Sequence, residues 1–173
     1  MRFLAVLFIS WALLSGPSMA GNAKLIYGFI EKATLVDNDL MLSAKLDTGA
    51  KSASLNAKNI AEVAKEGKIY LSFIVPSKEG DIPFLCEYVG DVNIKVRSGE
   101  HQPNLLLRRS SITRPVVLMK IRLGENEKVI RVNLTNRKRF IYPLLLGREA
   151  IVAFDGMIDP SLKYTLRIEK NKT

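Results

Sequence analysis

The sequence has one cysteine, Cys86, and one histidine, His101. A single thiol cannot close an internal disulfide, so stability has to come from an apolar core. One Cys and one His fall short of the three or four ligands of a Cys/His zinc site. Any Ser-His-Asp or Cys-His hydrolase would depend on His101, which lies in the polar turn Ser98-Gly99-Glu100-His101-Gln102-Pro103 and reads as solvated. Cys86 stands in an apolar run and reads as a small buried hydrophobe. Acidic residues are in deficit: 17 Asp plus Glu against 26 Lys plus Arg, a net charge of +9. Basic clusters occur at Arg108-Arg109 with Arg114 and at Arg137-Lys138-Arg139. They read first as solvated loops; the alternative is an anionic ligand such as an acidic peptide, cell-wall carboxylates or a lipid headgroup. No aromatic interleaving or nucleic-acid motif accompanies them, so no nucleic-acid partner is expected.

Long apolar runs are missing except at the start. Met1-Arg2 is a short basic segment, Phe3 to Leu14 is apolar, Ser15-Gly16-Pro17 breaks the run, and Ser18-Met19-Ala20 offers small residues for cleavage. This layout is that of a secretory signal peptide. The apolar run is well short of the ~20 residues of a spanning helix, so an uncleaved anchor is the weaker reading. The expected organisation is a signal peptide over 1–20 and one domain over 21–173. After cleavage no transmembrane segment is expected. The product is exported, and periplasmic if the source is Gram-negative.

The remainder reads mostly as strand. Lys24 to Glu31 and Leu40 to Leu46 flank an Asp37-Asn38-Asp39 turn. Lys68 to Val75 alternates up to Pro76, and Ile82 to Val96 reads as two strands broken near Gly90-Asp91. Val116 to Leu123 and Lys128 to Leu134 flank Gly124-Glu125-Asn126, a hairpin signal. Tyr142 to Leu146 is a short buried run, and Lys163 to Ile168 reads as a final strand. Helical spacing is confined to Asn59–Lys65 and Arg148–Phe154. Many short strands with Gly, Pro and Asn turns predict an all-β sandwich or barrel.

Chemistry concentrates in Lys45 to Ala57, KLDTGAKSASLNA. Asp-Thr-Gly after an apolar strand is the active-site signature of aspartic proteases. A carboxylate there must share a proton with a second carboxylate at the floor of a cleft. Gly lets a peptide N–H approach the carboxylate with no Cβ in the way. The same tripeptide also serves as an ordinary turn, since Asp caps and Gly bends. A second segment, Phe140 to Asp159, adds Leu145-Leu146-Gly147-Arg148 and a short helical stretch. In retroviral-type aspartic proteases a later strand ending in two apolar residues and Gly packs under the Asp-Thr-Gly loop.

With both segments, the chain resembles the bacterial retropepsin-like proteins often labelled "ATP-dependent zinc protease", which include exported members and relatives encoded beside glutamate-ligase-like enzymes. The resemblance runs through Lys45 to Ala57, Arg114-Pro115-Val116-Val117, Val132 to Arg137, Tyr142 to Arg148 and Ile158 to Ser161, in order. It implies a closed or partly open β-barrel of the acid-protease type with one or two short helices. It also implies an aspartic endopeptidase with Asp47 as the catalytic residue and Thr48, Gly49 and Ala50 as its loop. Leu145, Leu146, Gly147 and Arg148 would support that loop. Asn56 and Arg114 are assigned to substrate or flap contacts, and the stretch from about Gly80 to Arg114 to the loop over the cleft. Asn56 stands where the family pattern has His, and Asn cannot titrate near neutral pH. Lys95 to Thr113 is longer or rearranged relative to the pattern. No GxxxxGK[ST] loop and no His-Glu-x-x-His pair is present, so neither ATP nor zinc is expected as a cofactor.

A single Asp-Thr-Gly is half a site. A dyad would need two chains about a two-fold axis, each giving Asp47, so a homodimer and a peptide or protein substrate are the expected partners. Two other readings stay open. One is a catalytically silent module that holds a peptide or cell-wall fragment in the same cleft; the other is an assembly partner in the envelope.

Overall fold

The computed structural model describes residues 24–95 and 111–166. Within them the chain forms eleven strands and one α-helix. They are β1 (Leu25–Gly28), β2 (Ile30–Leu35), β3 (Leu40–Leu46), β4 (Ala53–Asn56), β5 (Lys58–Lys65), β6 (Lys68–Ser77), β7 (Gly80–Lys95), β8 (Ser111–Leu123), β9 (Asn126–Thr135), β10 (Leu144–Leu146), α1 (Arg148–Ala153) and β11 (Gly156–Asp159). The all-β expectation holds.

Alternation decides which strands close the barrel. In β3, Leu40, Leu42, Ala44 and Leu46 are buried, while Met41, Ser43 and Lys45 between them are not. In β8, Val117, Met119, Ile121 and Leu123 face inward, and in β9 Ile130, Val132 and Leu134 do the same. Successive side chains leave a strand on opposite faces, so each of these strands has one apolar face to hide. They hide it by closing a ring. The order β2-β3-β10-β4-β9-β8 returns to β2 through Ala33–Leu35 against Leu123–Ile121. Closure leaves the ring no open edge. Two of the pairings, β3–β10 and β4–β9, are parallel and join strands far apart in sequence.

The N-terminal half of β8 leaves the ring and continues into an arm, β7-β6-β5. Phe73 and Phe84 stack there with ring centroids 5.7 Å apart. Cys86 is buried in β7 as expected, and burial pushes its thiol up to about 12. β1 and β11 form a separate parallel pair. Among the described residues no helix is long and apolar enough to cross a membrane.

Several expectations need correction. Asn59–Lys65 belongs to strand β5 and is not helical. Its apolar residues, including Ile60 and Val63, are exposed because β5 is the last strand of the arm and pairs with β6 alone. β6 does not stop at Pro76 but runs through it to Ser77. Ile82–Val96 is not two strands: its described part lies in the single strand β7, which bends at a register shift between Tyr88 and Asp91, where Gly90 has φ +105°. The segment before β3 is two strands, β1 and β2. No strand forms over Lys163–Leu166; Tyr164 has φ +55°, which ends an extended path, and residues 167–168 lie outside the described residues. The Arg148–Phe154 helix and the Gly124 hairpin form as expected.

The signal peptide over 1–20, His101 and Arg108-Arg109 also lie outside the described residues. Of the expected covering loop, 80–95 is strand β7, and 96–110 is outside the described residues.

Candidate active site

The site begins where β3 ends. Leu46 lies beside Leu146 of β10, and Asp47 N–H donates to Leu146 C=O at 2.9 Å. The turn then folds back on the carboxylate: Gly49 N–H donates to Asp47 Oδ1 at 3.0 Å, and Ala50 N–H to Asp47 C=O at 3.2 Å. A Cβ on Gly49 would lie 3.2 Å from that same Oδ1, so a larger residue would crowd the carboxylate.

The segment from Leu145 to Arg148 lies against the loop. Gly147 passes so close under the loop that a Cβ there would lie 2.6 Å from Ser52 O and 2.8 Å from Lys51 O. Directly after it, Arg148 N–H donates to Ala50 C=O and Glu149 N–H to Lys51 C=O. These are first-turn amides of α1, which have no partner within the helix. The Arg148 guanidinium donates to Thr48 C=O at 3.0 Å and lies 3.4 Å from Gly49 C=O. Leu144 and Leu146 are buried, and Leu145 turns to the opposite face.

That opposite face carries the polar chemistry. Lys45, Leu145, Ser54, Asn133 and Val116 are register partners across β3, β10, β4, β9 and β8, and paired residues share a face. Asp47 follows Lys45 by two positions, and Arg114 precedes Val116 by two. Asn133, buried, donates from Nδ2 to Ser52 Oγ and Ala53 C=O, and accepts at Oδ1 from Arg114 Nη1 at 3.4 Å. Ser54 Oγ is buried with no hydrogen-bond partner among the described residues.

Asn56 uses its side chain on the backbone: Oδ1 accepts Arg137 N–H at 2.7 Å. Arg137 is only 6% exposed. Its Nε donates to Tyr142 C=O at 3.2 Å, and its guanidinium lies 4.3 Å from the Phe140 ring centroid. Burial pulls this guanidinium below its ordinary range; Arg114 adds to the effect and Asp47 opposes it. The solvated-loop reading of these basic clusters therefore fails for Arg137, which is buried, and for Arg114, which is half-buried; Lys138 and Arg139 are exposed.

Asp47 itself is an accessible carboxylate, with its side chain 28% exposed. Lys45 Nζ lies 3.3 Å from Oδ2. Burial alone would raise the Asp47 carboxyl, but the hydrogen bond and charge of Lys45 and the amides of Gly49 and Ala50 outweigh it and lower it. Lys45 and Arg137 were not assigned to the site from sequence. Counting by twos from Asp47 finds Lys45; Arg137 lies two residues past the end of β9 and is placed by Asn56 and Tyr142.

Comparison with known proteins agrees with this architecture. The family model for "RimB-like: Retropepsin-like aspartic endopeptidase RimB" matches residues 26–169. A crystal structure of a Legionella pneumophila protein of unknown function is 55% identical, covers 83% of this chain and 98% of that one, and superposes with a TM-score of 0.71. A "Probable alpha-L-glutamate ligase" of Shewanella pealeana is 33% identical over 129 residues, 72% of this chain and 26% of that protein. A protein of the same name from Parasynechococcus marenigrum is 32% identical over 146 residues, 83% of this chain and 29% of that protein. The chain thus spans little more than a quarter of these curated relatives. Match length, barrel closure and the Gly147 crossing against Lys51 and Ser52 of the loop agree: the chain belongs to the RimB-like family of retropepsin-like aspartic endopeptidases.

Proposed function

We propose that this chain is one half of an aspartic endopeptidase that cleaves acidic peptides. The observation that carries the reading is the Asp47 carboxylate, accessible at the end of β3, with one oxygen fixed by the Gly49 amide. Two such carboxylates about a two-fold axis cannot both ionise easily, so the pair holds one proton. The ionised member activates a water that attacks the peptide carbonyl. The protonated member donates a hydrogen bond to the developing oxyanion. Thr48, exposed at the turn, is available to brace its mate across the axis.

The acidic substrate is supported by Lys45, Arg114, Arg137 and Arg148 around the site and by the net charge of +9. A buried cation such as Arg137, with no ion pair among the described residues, is costly to hold and favours an anion nearby. Relatives named as probable alpha-L-glutamate ligases match this chain over about a quarter of their length, which points the same way. The proposal includes export after removal of residues 1–20, which mass analysis of the protein from fractionated cells would read directly.

The test compares wild type with Asp47→Asn on an oligo-glutamate peptide and a neutral peptide, from about pH 4 to 7. Cleavage of the acidic peptide by wild type alone is expected, and equal cleavage by the variant excludes the aspartyl mechanism. One observation favours a silent binding module: Lys45 already neutralises the carboxylate within a single chain. Tight binding of the acidic peptide by both proteins, with cleavage by neither, would establish that module.

A further inference from the structure

We propose that Lys45 is a positioning residue of the hydrolysis: it fixes the plane of the Asp47 carboxylate and sets the acid range in which the dyad works. The inference rests on the aspartyl reading of Asp47. Its basis is that both carboxylate oxygens are held, by different means. Oδ1 takes the Gly49 amide at 3.0 Å, and Oδ2 takes Lys45 Nζ at 3.3 Å. A carboxylate gripped at both oxygens cannot rotate freely about its Cβ–Cγ bond. Lys45 is itself set by register, pairing with Ile30 of β2 on one side and Leu145 of β10 on the other. It therefore reaches Asp47 from a fixed strand and not from a loop.

The other charges near Asp47 are differently engaged. From the first turn of α1, Arg148 donates to the Thr48 carbonyl, and Glu149 lies 3.7 Å from Lys51 of the loop. From the connection before β10, Arg137 donates to Tyr142 C=O. From β8, Arg114 donates to Asn133. Among the described residues Lys45 is the one cation within ion-pair distance of the Asp47 carboxylate.

The sign follows from the charge. A cation at Oδ2 favours the ionised form, so the dyad loses each of its two protons at lower pH with Lys45 than without it. Replacing Lys45 by Met removes the charge and keeps the aliphatic stem. Both limbs of the pH–rate profile should move up by no more than about one pH unit, the bottom of the usual range, because the pair is partly exposed. Lys45→Arg should restore the wild-type profile. Carbon-13 titration of the Asp47 carboxyl in the same proteins gives a readout that needs no turnover. An upward shift of this titration in Lys45→Met, reversed in Lys45→Arg, supports the role. Identical titration curves in all three overturn it, whether or not peptide is cleaved. The Asp47→Asn comparison separately decides whether the aspartyl reading stands.

Discussion

Asp47 and Glu31 are two carboxylates of this chain with opposite uses. Asp47 keeps part of its surface in water and is pulled down by a lysine and two amides. Glu31 is fully buried and serves only as an acceptor. It takes Gly28 N–H at 2.7 Å, Thr165 N–H at 3.0 Å, Thr165 Oγ at 2.5 Å and Leu166 N–H at 3.4 Å. It thereby ties the segment after β11 to the start of β2. Glu31→Ala would leave the buried Gly28 amide without its acceptor and release the part-buried bonds from Thr165 and Leu166, and an unsatisfied buried donor costs about 1–3 kcal/mol. A loss of roughly 3 kcal/mol in urea unfolding is expected, with faster proteolysis after Leu162. Unchanged stability would show that the tail is held by other contacts. Neither the clamp nor the burial of Arg137 is visible in sequence, because Thr165 and Leu166 reach Glu31, and Asn56 reaches Arg137, from far along the chain.

At the scale of elements, the short strand β10 matters most. It is three residues long, yet it lies between β3 and β4 and leads directly into α1. Its exit, Gly147, has an ordinary negative φ of −82°, so glycine is required by space and not by backbone conformation. Gly147→Ala would push a methyl into the Lys51 and Ser52 carbonyls and lift the loop from the strand. The expected cost is about 1–3 kcal/mol in stability. Cleavage should fall by more than stability alone explains, since displacements of about 1 Å can cost 10²-fold in rate. Equal thermal melts and equal rates for the two proteins would refute this. The Leu145-Leu146-Gly147-Arg148 motif was legible because its spacing is local. β5 is not legible as a strand, because Ile60, Ala61, Val63 and Ala64 match a helical spacing and only the β6 pairing reveals it.

For the whole molecule, one Asp-Thr-Gly in the chain means that the proposed dyad requires a second copy. Mixing provides a direct measurement. With wild type and Asp47→Asn chains in equal amounts and free to exchange, half of the dimers carry one carboxylate. Activity per wild-type chain should then fall to about half. Activity strictly proportional to wild type added, with no loss on mixing, would mean that each chain works alone. Sedimentation of wild type over a range of concentrations gives the matching dimer constant.

Sequence by itself determined the all-β class, the alternating faces of β3, β8 and β9, the Gly124 hairpin, the Asp47 turn and the short helix after Gly147. Each of these rests on near neighbours, through side-chain alternation or turn geometry. Tertiary structure decided the closure of β2 on β8, the parallel pairings of β10 with β3 and of β4 with β9, and the face shared by Lys45, Asp47, Asn133 and Arg114. It also decided that Arg137 is buried and that the tail is clamped by Glu31. These depend on which distant strands meet and in what register. A shift of one residue would turn every side chain of a strand to its other face.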